Sequence, residues 1–224
     1  MKGLFITFEG PDGAGKTTQL ALLAEALAAE GYDVVRTREP GGTRISDRIR
    51  AILLDPAHTE MADPAEVLLY AASRAQHVHE LILPALSAGK IVLCDRFIDA
   101  SMAYQAYGLG VDPETVRAIN AFAAAGLKPD RTYMLDLSAE AGMERLLSRS
   151  QGAEAQGLDR IERKRADYHR RVREAFLRIA REEPERVRVV AADDAPDRIH
   201  ARILDDCNRL LERSDMNITR REQA

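Results

Sequence analysis

The run Gly10-Pro11-Asp12-Gly13-Ala14-Gly15-Lys16-Thr17 fits Gly-x-x-x-x-Gly-Lys-[Ser/Thr]. Glycines at these positions let backbone amides turn inward around phosphate oxygens. A helix opening at Lys16 adds partial positive charge at its N-terminus. Lys16 can then reach β- and γ-phosphates, and the Thr17 hydroxyl can ligate Mg²⁺, with Thr18 beside it. This chemistry is the binding of a nucleoside triphosphate such as ATP. It leaves open what receives the phosphate: a nucleotide, a deoxynucleoside, or nothing, as in a non-catalytic switch. The Asn-Lys-x-Asp tetrad that reads guanine in GTP switches does not occur in the sequence. Asp12 is unusual inside such a loop, because an anion beside phosphates needs a metal, a cation or a hydroxyl to meet.

Three further constellations carry chemistry. Asp95-Arg96 follows an apolar run, where a carboxylate can hold Mg²⁺ or its water and a guanidinium can clamp a phosphate. A structural ion pair at a strand end is the plain alternative. Tyr70 and Arg74 lie four apart on one helix face, a spacing that suits stacking on a base and reading its edge. Taken alone, a buried tyrosine beside a surface arginine is the commoner outcome. Ser101 and Gln105 repeat the spacing. Arg149 and Arg160 flank the small polar stretch Gln151 to Gly157. The basic segment Arg160 to Arg181 otherwise reads as a solvated face. The five histidines show no ligand-like arrangement.

The elements that must position these groups follow from periodicity. Strands are predicted at Leu4–Phe8, Asp33–Arg38, Ile91–Cys94, Thr132–Leu137 and Val187–Val190. Helices are predicted from Lys16 to Gly31, Ser46 to Leu54, and Asp63 to about Ala88 with a kink at Pro84. Asp63 is read as the cap of that helix, with Pro64 at the first helical position and Glu66 as the acid of a capping box. Further helices run from Ser138 to Ser150 and from Arg160 to Glu183, and a last one carries Ile199, Ile203, Cys207 and Leu210 in a stripe. Strands separated by helices imply an α/β fold: a mostly parallel sheet with helices on both faces. Ligands then sit beyond the carboxyl ends of the strands. The loops after Phe8, Arg38, Cys94 and Leu137 share that edge.

At 224 residues the chain fits one domain, here 1–213, with a lid at about 149–160 and a polar tail at 214–224. A net charge of −4 does not suggest a nucleic-acid polymer as partner. Two cysteines, Cys94 and Cys207, lie in apolar settings, which fits a reducing compartment. The N-terminus turns polar too soon for a signal peptide, and no apolar run reaches membrane-spanning length. A cytoplasmic protein is expected.

Five blocks resemble the thymidylate kinases. They are Phe8-Glu9-Gly10-Pro11-Asp12-Gly13-Ala14-Gly15-Lys16-Thr17-Thr18, Arg38-Glu39-Pro40-Gly41-Gly42-Thr43, Ser73-Arg74-Ala75-Gln76-His77-Val78, Asp95-Arg96-Phe97 with Ala103-Tyr104-Gln105, and Leu158-Asp159-Arg160-Ile161-Glu162. Order and spacing match over about residues 3–211. The resemblance implies a P-loop NTPase fold, a three-layer α/β/α sandwich on a five-stranded parallel sheet with a short lid. It implies transfer of the ATP γ-phosphoryl group to dTMP, giving dTDP and ADP on the way to dTTP, with Mg²⁺ as cofactor, in a homodimer.

By the same resemblance, Tyr70 stacks on thymine in the place of a phenylalanine and Arg74 hydrogen-bonds the base. Arg96 binds the dTMP phosphate, with Arg38 a weaker candidate. Asp12 meets the deoxyribose 3′-hydroxyl, Tyr104 crowds a ribose 2′ position, and Ser101 and Gln105 supply polar contacts to base and sugar. The sequence departs from the pattern in places. Gly13 stands where eukaryotic-type members have an arginine, and the lid centre carries none. Leu109 replaces a common arginine and Ala100 a common serine. Arg149 or Arg160 is therefore expected to swing in with the lid and offset transition-state charge.

Overall fold

The structure, a computed structural model, describes residues 3–150 and 157–213, the side chains of Arg149, Ser150 and Arg213 excepted. The centre of the expected lid and the expected tail at 214–224 lie outside the described residues. Five strands form one all-parallel sheet in the order β2-β3-β1-β4-β5. They are β1 Leu4–Glu9, β2 Val34–Arg38, β3 Ile91–Asp95, β4 Arg131–Asp136 and β5 Val187–Ala191. Every residue of β1 is buried, which is why its sequence is near-continuously apolar. The half-exposed edge strands β2 and β5 carry Arg36 and Arg188, and such charges discourage edge pairing.

Helices cover both faces. On one, α1 (Lys16–Ala29) lays Leu20, Leu23 and Leu27 against Ile199, Ile203 and Cys207 of α9 (Pro196–Arg213). On the other, α8 (Ala166–Glu182) packs Tyr168, Val172 and Phe176 against Met134 and Val187. Both cysteines are buried and free. Each fully buried Leu, Val or Phe contributes about 1.5–3 kcal/mol. Among the described residues, no helix is long and apolar enough to cross a membrane.

Three helix expectations need correction. The second helix, α2, starts at Arg44, two residues early, behind Thr43. The third, α3 (Asp63–His77), is capped by Ala62, with no side-chain cap. Glu66 cannot close a capping box because its carboxylate turns inward to Gln105 and Arg160. The run expected to about Ala88 carries on past His77 through a wide turn at Val78–Ile82 into α4 (Leu83–Ser87), where Pro84 falls in the first turn and its missing N–H is tolerated. The helix expected from Arg160 begins only at Ala166. There the Asp159 carboxylate accepts from the amides of Ile161 and Glu162, closing a turn that competes with helix.

The short α5 (Ile98–Ser101) leads into a second wide turn, Met102–Gly108, that presents Tyr104 and Gln105. Completing the set are α6 (Pro113–Ala123), capped by the Asp112 side chain, and α7 (Ala139–Ser150).

Candidate functional site

The carboxyl ends of β1, β2 and β3 open on a cleft of about 1070 Å³. The phosphate loop forms one wall. In it the Lys16 ammonium, 7% exposed, donates to the carbonyls of Pro11 (2.7 Å) and Gly10 (3.1 Å). Burial, then the neighbouring Arg96, pulls its pKa down to about 8 against the pull of Asp95, Asp12 and Glu9. A triphosphate would exchange these neutral carbonyls for anionic oxygens, the stronger partner. Next to it, Thr17 donates its hydroxyl hydrogen bond to Asp95 Oδ2 at 2.7 Å.

Arg96 sits just past β3 with φ 71°, a conformation costly for a residue with a side chain. Two contacts pay back that strain: its amide donates to Phe8, and the guanidinium reaches across the loop. It donates to Asp12 Oδ1 (2.5 Å), the Tyr104 hydroxyl (2.9 Å) and Gly10 O (3.1 Å). Tyr104 in turn donates to Asp12 Oδ2 at 2.9 Å. Burial would raise the Asp12 pKa, but Arg96 and Lys16 hold it below the usual carboxylate range. The result is an anchored cation with an anion and a hydroxyl on one spot of the loop.

The far wall is built on α3. Tyr70 and Arg74 line the cleft together with Ser101, Tyr104 and Gln105. Arg74 is 2% exposed. It donates to Glu39 Oε2, Ser101 Oγ, Asn120 Oδ1 and Phe97 O. Among the described residues these bonds use four of its five N–H groups. Glu39 also holds His77, which bonds Thr37.

The match to known proteins is broad. The thymidylate kinase family model covers residues 8–203. The thymidylate kinase of Exiguobacterium sibiricum is 54% identical over 92% of this chain and 94% of its own. That of Pelotomaculum thermopropionicum is 50% identical over 95% and 96%. A crystal structure of thymidylate kinase from Ehrlichia chaffeensis superposes with a TM-score of 0.73 at 32% identity, covering 92% of this chain and 99% of that one.

The chain belongs to the thymidylate kinase family. The cleft then gathers Asp12, Lys16, Thr17, Asp95, Arg96, Tyr70, Arg74, Ser101, Tyr104 and Gln105 from both walls. Two expected residues stand elsewhere. Arg38 turns to Asp47 at 3.1 Å, while Arg50 lines the cleft and bonds Pro40 O. Arg160 is held by Leu53 O (2.7 Å) and Glu66 Oε2 (2.7 Å), so it acts as an anchor in this conformation rather than a group lining the cleft. Arg149 is the last residue but one of α7 and its side chain lies outside the described residues.

Sequence reasoning missed four supports. Glu9, fully buried, accepts from the amides of Phe97 (2.7 Å) and Ala100 (3.4 Å), fixing the turn that carries Arg96. Burial, then Asp99, pushes its pKa up to about 8. Glu39 anchors Arg74, Arg50 lines the cleft, and Arg145 bridges Gly13 O and Ala192 O. Glu9 and Glu39 lie inside the quoted blocks, which was the available signal.

Gly13 explains one departure. Its φ is 78°, and a Cβ there would meet Gly142 O of α7 at 2.5 Å. Gly13→Arg is therefore expected to shift α7. Melting should fall by several degrees, and kcat/KM for ATP by about tenfold, since left-handed backbone alone costs about 1–2 kcal/mol. Thermal melts and ATP saturation curves check this.

Proposed function

We propose that the chain transfers the γ-phosphoryl group of ATP to dTMP, giving dTDP and ADP. The observation that carries this is one cleft with a phosphate loop on one wall and, on the other, Arg74 and Tyr70 from one helix. Phosphoryl transfer needs positioning and charge neutralisation more than covalent help. Gly10 to Thr18 hold ATP, with Lys16 on its outer phosphates. Arg96 exchanges Asp12 for the dTMP phosphate and aims it in line. Asp12, freed, faces the sugar 3′-hydroxyl. Tyr70 stacks on the base and Arg74, Ser101 and Gln105 contact its polar edge.

The residues at the loop mouth fit Mg²⁺. Thr17 and Asp95 present hard oxygens in contact with one another. Among the described residues no group of three acidic, His or Cys side chains could hold a metal by itself, so phosphate oxygens and water would complete the shell. Bound there, the ion would neutralise charge on the phosphates.

Lid arginine Arg149 remains the candidate for charge on the transferring group, and Arg160 anchors the lid base. The kinase domain is 1–213. A cytoplasmic, reducing location suits its buried free thiols. We also assign a homodimer, supported by Phe122 of α6 (89% exposed) and Leu68 of α3 (58%) on adjacent helices. Phe122→Glu should convert a dimer to a monomer in sedimentation; a wild-type monomer would refute the assignment. The reaction is tested with γ-labelled ATP: the label must appear in dTDP, and its appearance in free phosphate alone would refute it.

A further inference from the structure

Beneath the far wall runs a chain of three buried polar groups. Glu66, 1% exposed, lies one turn before Tyr70 and two before Arg74 on α3. Its Oε2 accepts from Arg160 Nη2 at 2.7 Å, and its Oε1 accepts from Gln105 Nε2 at 2.9 Å. Gln105 is 2% exposed and lines the cleft. Its side-chain carbonyl has no protein partner among the described residues.

We propose that Glu66 is a specificity-positioning residue that fixes which end of the Gln105 amide faces the acceptor base. The inference rests on the reading that Gln105 and Arg74 face that base. A carboxylate paired with an arginine only accepts hydrogen bonds. Gln105 must give it the NH₂ and turn its carbonyl to the cleft. Arg74, a donor only, lines the same cleft. A donor next to an acceptor fits the thymine edge, where O4 accepts and N3–H donates. Cytosine reverses both, with an amino group at C4 and a lone pair at N3. The wall therefore selects an imide base and rejects cytosine without touching either with Glu66.

The same geometry predicts an inversion. In Glu66→Gln, Arg160 can bond only the new carbonyl, which turns the new NH₂ toward Gln105. Gln105 must then offer its carbonyl inward and its NH₂ to the cleft. The shape is unchanged and only the polarity flips. Calorimetric binding of dTMP and dCMP to wild type, Glu66→Gln, Gln105→Ala and the double variant tests this. The ratio of dTMP to dCMP affinity should fall at least about tenfold in Glu66→Gln, since the thymine N3–H would then face a donor and stay unpaired in a buried site. ATP affinity should hold, and the double variant should match Gln105→Ala in ratio. A wild-type probe needs no variant: dTMP methylated at N3 should bind at least about tenfold more weakly. An unchanged ratio in Glu66→Gln, additive effects in the double variant, or full affinity for the N3-methyl analogue would overturn the inference. A wild-type protein with no preference for dTMP over dCMP would sink the underlying reading as well.

Discussion

Lys16→Met should lower kcat/KM for ATP by roughly 10³-fold while leaving the protein folded, since removing one preorganised group on developing phosphate charge costs about 10²–10³. The ammonium is buried and its pKa lies near 8 in the free protein. As pH rises through that value, the free protein loses the charge that captures the triphosphate. The kcat/KM for ATP should therefore fall above about pH 8. kcat at saturation should not, because bound phosphates keep the ammonium charged. Glu9 titrates in the same range, also near 8, so the variant settles the assignment. If the residual activity of Lys16→Met keeps the alkaline limb, the limb belongs to Glu9. Wild-type turnover in Lys16→Met would contradict the account.

Arg96→Ala should have a comparable effect, split differently. Loss of the clamp should raise KM for dTMP and lower kcat, together about 10³-fold, because both affinity and in-line aim depend on the fork. Asp12 then keeps Lys16, the Tyr104 hydroxyl and His169 nearby but loses its strongest cation, so burial lifts its pKa. Arg96→Lys restores charge without the two-pronged geometry and should recover only part of the loss. The unusual φ of 71° is common to all these variants except Arg96→Gly, which relieves it. If Arg96→Gly and Arg96→Ala show the same deficit, the guanidinium rather than backbone strain is responsible. Kinetics varying dTMP at saturating ATP give the split.

The parallel sheet and the stripes of α1, α8 and α9 were legible because hydrophobic period is local. The phosphate loop was legible because its chemistry fits in eight consecutive residues. Long-range partners were not. Glu66 reads locally as a capping acid, yet its carboxylate meets Gln105 39 residues away and Arg160 94 away. Glu9 falls just past the predicted strand Leu4–Phe8, and only the fold brings it to the Phe97 amide. Arg160 reads as helix, and only the structure shows the Asp159 turn that replaces it and the contacts to Leu53 and Glu66 that hold the arginine there. The left-handed conformation of Arg96 leaves no mark in composition.

The central claim is acceptor-dependent phosphoryl transfer to dTMP. It is tested most directly by coupled ADP release with ATP and each of dTMP, dUMP, dCMP, dGMP and AMP. The account predicts the highest kcat/KM with dTMP, measurable loss with dCMP and the purine nucleotides, and little ADP without an acceptor. No ADP release above background with any of the five, or equal release with dCMP and dTMP, would contradict it.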